Sequence, residues 1–566
     1  MKTILTTLNA KYIHTSLALR WLYVANKDAF DISFKEYVLK EDVLMIADDL
    51  LAEKPDIVGI GIYIWNVEKC RQLIVTLKKR RPELIIIVGG PEVSYEPEFF
   101  LNDPVDFVIS GEGEFVLGEL LGALENNLPK ADINIECIST RHCISRKTAK
   151  ADLKKLTTLP SPYQLKEDLK NRIVYFETSR GCPYSCSYCL SSLETGARFF
   201  PLPYIFDNLT CLIHHNARQI KFLDRTFNLN HTHTQAIFDF LIAQYRPDLC
   251  FQFEIYADLL DRQLIAYLNQ KLPPHYFRFE IGIQSTHEPT NQAVNRKQDF
   301  ETLSENIRQL TEGGKIDLHL DLIAGLPYET FDRFKKSFND VFALRAKEVQ
   351  LGFLKMLRGV SLRRYAPLFG YQYNEKAPYE ITCHDHLTAD EVERIHAAES
   401  ALEKYWNSGK FKRTMETLFD TAYKNRYFEL FDAIGQYYQK HNLPNHGYLL
   451  EDIFRNLHYF LLSENIDLFP TLRKDYYACF KIRPHGFWEK AIDKKQQKKL
   501  LSHIGNDQAF LACHHLSRKI IEKQTAIDPL EENHYLLTVF CDDQSRENPL
   551  FLTYALPSHI TTNLKP

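Results

Sequence analysis

The stretch Cys182-Pro-Tyr-Ser-Cys186-Ser-Tyr-Cys189 contains three cysteines in the spacing C-x3-C-x2-C. Thiolate is the usual protein ligand of a cubane iron–sulfur cluster, and three thiolates leave the fourth iron without a protein donor. A zinc site and a disulfide framework are the alternatives. Zinc sites are usually closed by four ligands in paired short spacings, and disulfide-dense chains are usually small and secreted. The motif therefore predicts a [4Fe-4S] cluster whose open iron can bind another ligand.

The residues around and after this motif alternate between strand-like and helix-like patterns. Strands are predicted at residues 173–178, 219–223, 251–256, 278–283, 317–323 and 348–355, and helices at 232–245, 260–270, 300–312 and 330–344. Six β/α units predict a partial barrel, and the cysteine motif follows its first strand. In complete α/β barrels the active site lies at the carboxyl ends of the strands. The cluster is therefore expected at the mouth of this barrel.

The residues before the motif show a second alternation of strands and helices. Apolar runs at 3–8, 57–63, 84–88 and 107–109 alternate with helical patterns such as 16–25 and 68–80, which predicts a parallel α/β sheet. Ligands of such sheets bind beyond the carboxyl ends of the strands. The candidate ligand contacts at those ends are Asn9, Tyr63, Trp65, Gly89, Gly90, Glu92, Gly111 and Glu112.

The last third of the sequence is predicted to be mainly helical. Helical patterns cover residues 387–408, 415–440 and 448–462, and two paired strands are expected at 535–541 and 550–556. Cys479 is a candidate catalytic residue there, because a lone cysteine in a substrate cavity can donate a hydrogen atom or bind a metal. Core packing is the alternative for this residue. The expected domains are residues 1–150 with a linker, 168–376 and 377–566.

The composition indicates which kinds of partner and which cellular location to expect. The chain has 566 residues, 45% of them hydrophobic and 25% charged, which is ordinary for a globular protein. Its apolar runs are far shorter than the roughly 20 residues of a membrane helix. The first residues lack the long apolar core of a secretory signal, and we expect them to form a buried strand. A net charge of −4 provides no general attraction to nucleic acid. We therefore expect a cytoplasmic protein that binds neither membrane nor nucleic acid.

The cysteine motif, with the aromatic Tyr188 before its last cysteine, resembles that of the radical S-adenosylmethionine (SAM) enzymes, in which SAM chelates the fourth iron. The residues at the later strand ends resemble those of the oxygen-independent coproporphyrinogen oxidase and elongator-type branch of this superfamily. That resemblance implies that Gln284 hydrogen-bonds the SAM ribose and Arg296 pairs with the methionine carboxylate. It also implies that Glu254 and Asp321 face SAM from neighbouring strands.

The first domain followed by this motif resembles the cobalamin-binding domain fused to a subset of radical SAM enzymes. The predicted fold is thus α/β: a Rossmann-like parallel sheet of the cobalamin-binding type, a partial (β/α)6 barrel and a mainly helical C-terminal domain. Cobalamin domains that use a histidine ligand carry Asp-x-His-x-x-Gly, whereas this chain has Tyr12-Ile-His14-Thr-Ser-Leu17. We therefore expect cobalamin to bind without His14 as a cobalt ligand. A domain that keeps the fold and has lost the corrinoid is the alternative.

The resemblance implies a cobalamin-dependent radical SAM enzyme that methylates an unactivated carbon of an unknown small molecule or peptide. A reductant such as flavodoxin or ferredoxin would supply electrons. Three alternatives stay open. These are a radical rearrangement or oxidation without methyl transfer, a tRNA methylthiotransferase-like activity, and a non-catalytic iron–sulfur or zinc module.

Overall fold

The computed structural model describes residues 1–163, 168–194, 196–480, 492–531, 533–540 and 549–557. The chain falls into two compact units, Met1–Val392 and Glu393–Pro566. The first unit contains both predicted parallel sheets, and each unit is described below by itself.

The first sheet has six strands in the order β2-β1-β3-β4-β5-β6. Strands β1 to β5 are parallel, and β6 is antiparallel to β5. The strands are β1 (Thr3–Asn9), β2 (Ile32–Val38), β3 (Ile57–Gly61), β4 (Ile85–Gly89), β5 (Phe107–Ile109) and β6 (Ile138–Ser139). The helices are α1 (Leu17–Asn26), α2 (Val43–Ala52), α3 (Val67–Arg80), α4 (Pro97–Leu101), α5 (Glu114–Glu125) and α6 (Leu153–Leu156).

Hydrophobic residues cover both faces of this sheet. Successive residues of β4 alternate between two cores, with Ile86 and Val88 in one and Ile85 and Ile87 in the other. Such continuous apolar runs are typical of parallel strands buried on both faces. The prediction of a parallel α/β sheet is confirmed, although the sequence patterns did not reveal β2 and β6.

The second sheet contains six parallel strands in the order β14-β13-β12-β11-β10-β7. This sequential order is the one expected for a partial barrel. The strands of this region are β7 (Ile173–Phe176), β8 (Ser179–Arg180), β9 (Arg198–Phe199), β10 (Gln219–Phe222), β11 (Cys250–Ile255), β12 (Phe277–Gln284), β13 (Asp317–Ala324) and β14 (Glu348–Phe353). The helices are α7 (Leu202–His214), α8 (His231–Ala243), α9 (Arg262–Lys271), α10 (Glu288–Ala293), α11 (Phe300–Gly313), α12 (Phe331–Phe342) and α13 (Ser361–Tyr365). A hairpin of β15 (Gln372–Tyr373) and β16 (Ile381–Cys383) follows.

The two faces of the second sheet differ in polarity. Along β12 and β13, buried residues alternate strictly with partly exposed ones. The buried positions include Phe277 and Phe279, which pack against Phe238 of α8. The alternating positions of β12 and β13 include Glu280 and Asp321. One face is therefore an aromatic core, and the opposite face is available to polar ligands.

The backbones of the two sheets meet between β1 and β7. The loop after β1 forms a parallel bridge from His14 to Ile173. Ile173 N donates to Ile13 O (2.6 Å), and Thr15 N donates to Ile173 O (3.3 Å). This loop thus extends the second sheet beyond its edge strand β7.

The remaining helices are α14 (Ala389–Leu402), α15 (Lys412–Asp420), α16 (Tyr427–Lys440), α17 (Leu450–Ser463), α18 (Phe469–Cys479), α19 (Lys494–Asn506), α20 (Gln508–His514) and α21 (Arg518–Lys523). A π-helical turn, Glu403–Asn407, follows α14. Three antiparallel strands follow: β17 (Thr525–Glu531), β18 (His534–Val539) and β19 (Leu550–Ala555). The sequence predicted two of them, and residue 541 of that prediction lies outside the described residues. Among the helices described, none combines the length and apolar character of a membrane span.

Candidate functional site

A cavity of about 660 Å³ lies at the carboxyl edge of the first sheet. All but one of the candidate strand-end residues line it: Asn9, Tyr63, Trp65, Gly89, Gly90, Gly111 and Glu112. Its opposite wall includes Tyr175, Arg180, Glu194 and Arg225, which belong to the strand ends and loops of the second sheet. The carboxyl edges of both sheets therefore share one cavity.

Glycine keeps the wall of this cavity clear of side chains. Gly59, Gly61, Gly89 and Gly90 line it together. Gly90 has φ +109°, and a Cβ there would lie 2.5 Å from Ile62 O. Only a residue without Cβ adopts this backbone turn without strain. The absence of side chains at these four positions allows a ligand to approach the backbone.

Two aromatic side chains stack beside this glycine surface. The rings of Tyr63 and Trp65 lie 4.5 Å apart and nearly parallel, at 9°. Trp65 donates from Nε1 to Leu8 O (3.3 Å) while 49% of the residue stays exposed. Burial raises the pKa of Tyr63. The stack therefore presents a fixed aromatic surface to the cavity.

His14 also lines the cavity, in the loop after β1. Its Nδ1 lies 2.8 Å from the Tyr175 hydroxyl oxygen of β7, and burial lowers its pKa. A neutral imidazole in this position joins the β1 loop to the second sheet.

Glu92 does not line the cavity, although the sequence placed it among the candidate contacts. Its carboxylate accepts a hydrogen bond from the Tyr379 hydroxyl and pairs with Arg358 Nε (3.3 Å). Burial raises its pKa against these interactions. Glu92 therefore pairs with two residues that follow the last strand of the second sheet, and it does not form part of the cavity wall.

A buried arginine connects the cysteine loop to the first sheet. Arg180 directly precedes Gly181-Cys182, and its guanidinium donates to Glu112 Oε2 (2.9 Å) and Glu114 Oε1 (2.7 Å). It also donates to both carboxylate oxygens of Glu177, at 3.0 and 2.7 Å. Although burial disfavours the charged form, the carboxylates hold the pKa of Arg180 well above its ordinary value. Sequence analysis missed this residue, even though a charged residue directly before the cluster motif is a detectable signal.

The cysteine loop is held by backbone hydrogen bonds to other loops. Ser187 N donates to Val294 O (2.9 Å), and Leu362 N donates to Ser187 O (3.0 Å). Gly181 has φ +87°, and a Cβ there would collide with the carbonyl oxygen of Gly196. The loop that carries Cys182, Cys186 and Cys189 is thus fixed in place by its surroundings.

Burial is the main influence on the Cys182 thiol and raises its pKa, and the neighbouring Cys189 and Cys186 add to the effect. The three thiols are therefore close enough to interact. Among the described residues, no three His, Cys, Asp or Glu side chains surround a position for a single metal ion. The thiolates of a cubane cluster bind separate irons.

Arg296 lies beside this loop. Its Nη1 is 3.5 Å from the Tyr188 hydroxyl, its Nη2 donates to Gly282 O, and its Nε donates to Gln298 Oε1 (3.0 Å). Burial opposes its charge, yet Tyr188 and Tyr256 contribute to a raised pKa. The structure thus brings the predicted pair Tyr188 and Arg296 together.

Gln284 is the last residue of β12 and adopts φ +70° at a register shift against β13. Its Oε1 is buried and has no hydrogen-bond partner among the described residues. A non-glycine residue with positive φ and an orphaned buried oxygen is costly unless a ligand uses it. This geometry is typical of a binding site.

Glu254 and Asp321 occupy neighbouring strands of the same sheet. Burial raises the pKa of Glu254, while the nearby Arg225 lowers it. Asp321 lies 3.0 Å from His319 Nε2. The carboxylates of Asp321 and Glu348 raise the pKa of His319 to about 9 despite burial. His319 was missed by sequence analysis, although the alternation of Asp317, His319 and Asp321 would have placed it on the polar face.

Cys479 is the last residue of α18, in the second unit. It is partly exposed, and burial raises the pKa of its thiol. A raised pKa disfavours the thiolate, and its catalytic role stays a prediction.

Comparison with known families gives three separate matches along the chain. The B12 binding domain matches residues 4–121, the radical SAM superfamily matches residues 176–341, and a protein family of unknown function, DUF4080, matches residues 368–548.

Two curated relatives are methyltransferases. The cobalamin-dependent radical SAM methyltransferase TokK of Streptomyces tokunonensis is 26% identical over 325 residues, covering 53% of this chain and 47% of TokK. The 2-(S-pantetheinyl)-carbapenam-3-carboxylate methyltransferase of Streptantibioticus cattleyicolor is 26% identical over 308 residues, covering 50% of this chain and 44% of the relative. The match thus spans less than half the length of either relative.

Two solved structures share the fold. The cobalamin-dependent SAM radical enzyme OxsB with aqua-cobalamin has a TM-score of 0.60 at 16% identity, covering 85% of this chain and 81% of OxsB. The methyltransferase TsrM from Kitasatospora setae with cobalamin and a [4Fe-4S] cluster has a TM-score of 0.54 at 18% identity, covering 67% of this chain and 78% of TsrM.

Proposed function

We propose that this chain, a radical SAM protein with an amino-terminal B12-binding domain and a carboxyl-terminal DUF4080 domain, is a cobalamin-dependent radical SAM methyltransferase. The observation that carries the proposal is the single cavity shared by the carboxyl edges of both sheets. A methyl carrier and a radical source must act on the same substrate, and a shared cavity meets that requirement.

The cysteine loop is suited to the cluster and SAM. Cys182, Cys186 and Cys189 would bind three irons, and the fourth would accept SAM. Gln284 supports this assignment best, because its orphaned Oε1 can accept a hydrogen bond from a ribose hydroxyl. Arg296 beside Tyr188 offers the guanidinium that a carboxylate favours. Glu254 and Asp321 would face SAM from the adjacent strands.

The first-sheet wall is suited to cobalamin. The glycine surface leaves room for a flat macrocycle, and the Tyr63–Trp65 stack borders it. Glu114 Oε2 is buried without a hydrogen-bond partner among the described residues and can accept from an amide side chain of the corrinoid. We propose that Asn9, Gly89, Gly90, Gly111 and Glu112 complete this site. His14 holds Tyr175 and is not proposed as a cobalt ligand.

When bound, the cluster and SAM would supply radical chemistry, and cobalamin would carry the methyl group. The protein's part is to orient these groups and exclude water. Arg180 fixes the cluster loop against the first sheet, so that the distance between the two cofactor sites is set by the fold. We propose an unactivated carbon of a small molecule or peptide as the methyl acceptor, with a flavodoxin or ferredoxin as reductant. Radical rearrangement or oxidation without methyl transfer would use the same site.

The test is anaerobic reconstitution with iron, sulfide and hydroxocobalamin, followed by desalting, iron analysis and absorption spectroscopy. We expect about four irons per chain together with a corrinoid spectrum. The triple variant C182A/C186A/C189A should lose the iron, whereas C143A, at an exposed cysteine outside the motif, should keep it. Iron without corrinoid would contradict the cobalamin part of the proposal, and no iron would contradict all of it.

Turnover then tests the reaction class. With SAM and a reductant, the reconstituted protein should release 5′-deoxyadenosine. S-adenosylhomocysteine in the same sample would support methyl transfer. 5′-Deoxyadenosine without S-adenosylhomocysteine, in the presence of a substrate that is consumed, would favour the rearrangement or oxidation.

A further inference from the structure

We propose that Arg225 binds an anionic group of the substrate, a carboxylate or a phosphate ester, inside the shared cavity. The inference rests on the proposed function and deepens it, because it assigns a chemical class to the unknown substrate. Three points support it: the position of Arg225, the pairing of the other charges in the cavity, and the free energy needed to remove water from an unpaired cation.

Arg225 follows a firmly anchored strand end. The preceding residue, Asp224, is 1% exposed and accepts hydrogen bonds from Thr178 N (2.9 Å), Thr178 Oγ1 (2.6 Å) and Ser179 Oγ (2.5 Å). These contacts tie the end of β10 to the chain that leads into the cysteine loop. The backbone that carries Arg225 is therefore fixed, and the residue lines the cavity.

The other charged groups of this wall have partners within the protein. Arg180 pairs with Glu112, Glu114 and Glu177. Glu194 accepts a hydrogen bond from the Tyr95 hydroxyl (3.3 Å). The guanidinium of Arg225, in contrast, has no hydrogen bond or ion pair within the described parts of the chain.

Arg225 lines the cavity together with Tyr95 of the first domain and with Leu190 and Ser191, which directly follow Cys189. Burial raises the pKa of Tyr95, and the charges that act on this phenol include Glu194, Arg225 and the Cys189 thiol. Burial raises the pKa of Glu254, which is expected to face SAM, and the charge of Arg225 opposes this rise. Arg225 thus borders the cavity with residues of the cluster loop and of the first domain, and its charge acts on a carboxylate that is expected to face SAM. A substrate has to sit in this part of the cavity.

An unpaired guanidinium is tolerable only while water solvates it. Arg225 is exposed to the cavity. A corrinoid and a neutral substrate would displace that water and leave a desolvated charge, which is strongly unfavourable. A carboxylate or phosphate on the substrate would instead accept two parallel hydrogen bonds from the planar fork of Arg225. The anion would also fix the orientation of the substrate between the cofactors.

The experiment measures the reactivity of Arg225 with the arginine reagent phenylglyoxal, in the full-length reconstituted protein, by peptide mass spectrometry. The probes are inorganic phosphate and acetate, each compared with chloride at equal ionic strength. We expect either probe to slow modification of Arg225 at least threefold, and the stronger probe indicates the type of anion. Arg146 pairs with Glu98 on the surface outside the cavity and is the matched control, whose modification should not change.

Equal rates in phosphate, acetate and chloride would overturn the proposal. Complete protection of Arg225 by SAM alone would also overturn it, because Arg225 would then bind the carboxylate of SAM. In R225Q, phosphate or acetate should no longer raise the melting temperature, while iron, corrinoid and SAM binding stay within twofold of wild type. If the wild-type protein did not bind the cofactors, the result would count against the proposed function instead. Failure of the proposed function can thus be distinguished from failure of the anion-binding proposal.

Discussion

Replacing Arg180 by glutamine tests whether this residue holds the cluster loop to the first sheet. The substitution leaves Glu112, Glu114 and Glu177 without their shared cation, and these carboxylates are at most 13% exposed. Removing one partner of a buried ion pair typically costs about 3–5 kcal/mol. A neutral amide cannot replace all of the hydrogen bonds that Arg180 donates to these carboxylates. R180Q should therefore lose roughly that amount of stability and incorporate less iron.

Urea unfolding followed by tryptophan fluorescence measures this effect. One of the four tryptophans, Trp21, donates from Nε1 to Glu177 Oε1 (2.9 Å) and so lies beside these carboxylates. R146Q removes a surface pair whose side chains are 68% and 46% exposed, and it should cost at most about 1 kcal/mol. If R180Q destabilised the protein no more than R146Q, or if its iron content matched wild type, the role given to Arg180 would be refuted.

Three further substitutions have defined outcomes. Gln284→Ala should weaken SAM binding about tenfold, which corresponds to one lost hydrogen bond of about 1.4 kcal/mol, and equilibrium dialysis showing unchanged affinity would contradict this assignment. His319 has a folded pKa of about 9, so its contribution to stability is full below the unfolded pKa near 6.5 and is lost as pH rises through about 9. In a pH series of melting temperatures, His319→Gln should abolish the decline that the wild type shows over this range. A decline that persists in the variant would assign it to other groups. Gly90→Ala should destabilise the protein by about 1–3 kcal/mol in urea unfolding, because of its positive φ and the 2.5 Å approach to Ile62 O, and an unchanged midpoint would show that the turn tolerates a Cβ.

The sequence was sufficient to predict those strands of the first sheet whose side chains are buried on both faces. Strands β3 and β4 read as continuous apolar runs, Ile57–Gly61 and Ile85–Gly89. Strand β2, Ile-Ser-Phe-Lys-Glu-Tyr-Val, lies at the edge of the sheet and has only partly buried residues in its centre. Its polar residues break the continuous apolar pattern that predicts a buried strand, because an edge strand is not buried on both sides.

The candidate site was predictable where it depends on strand ends, and not where it depends on distant partners. Seven of the eight first-domain candidates line the cavity, since the carboxyl ends of parallel strands meet at one edge. Glu92 also follows a strand of this sheet in the sequence. Its carboxylate, however, contacts Arg358 and Tyr379, which lie more than 260 residues away in the chain. No local pattern encodes such a pairing. The orphaned oxygen of Gln284 likewise depends on a register shift that appears only when β12 meets β13.

The bridge between His14 and Ile173 has a consequence for how this protein can be divided. Strand β7 is the edge of the second sheet, and an uncovered edge offers unpaired N–H and C=O groups to other chains. The loop after β1 occupies part of that edge with two backbone hydrogen bonds. The first domain therefore protects part of this edge from pairing with other chains. A truncated chain that begins at residue 168 would lose this protection together with the proposed cobalamin site. Insolubility of such a chain would therefore say nothing about the cofactor.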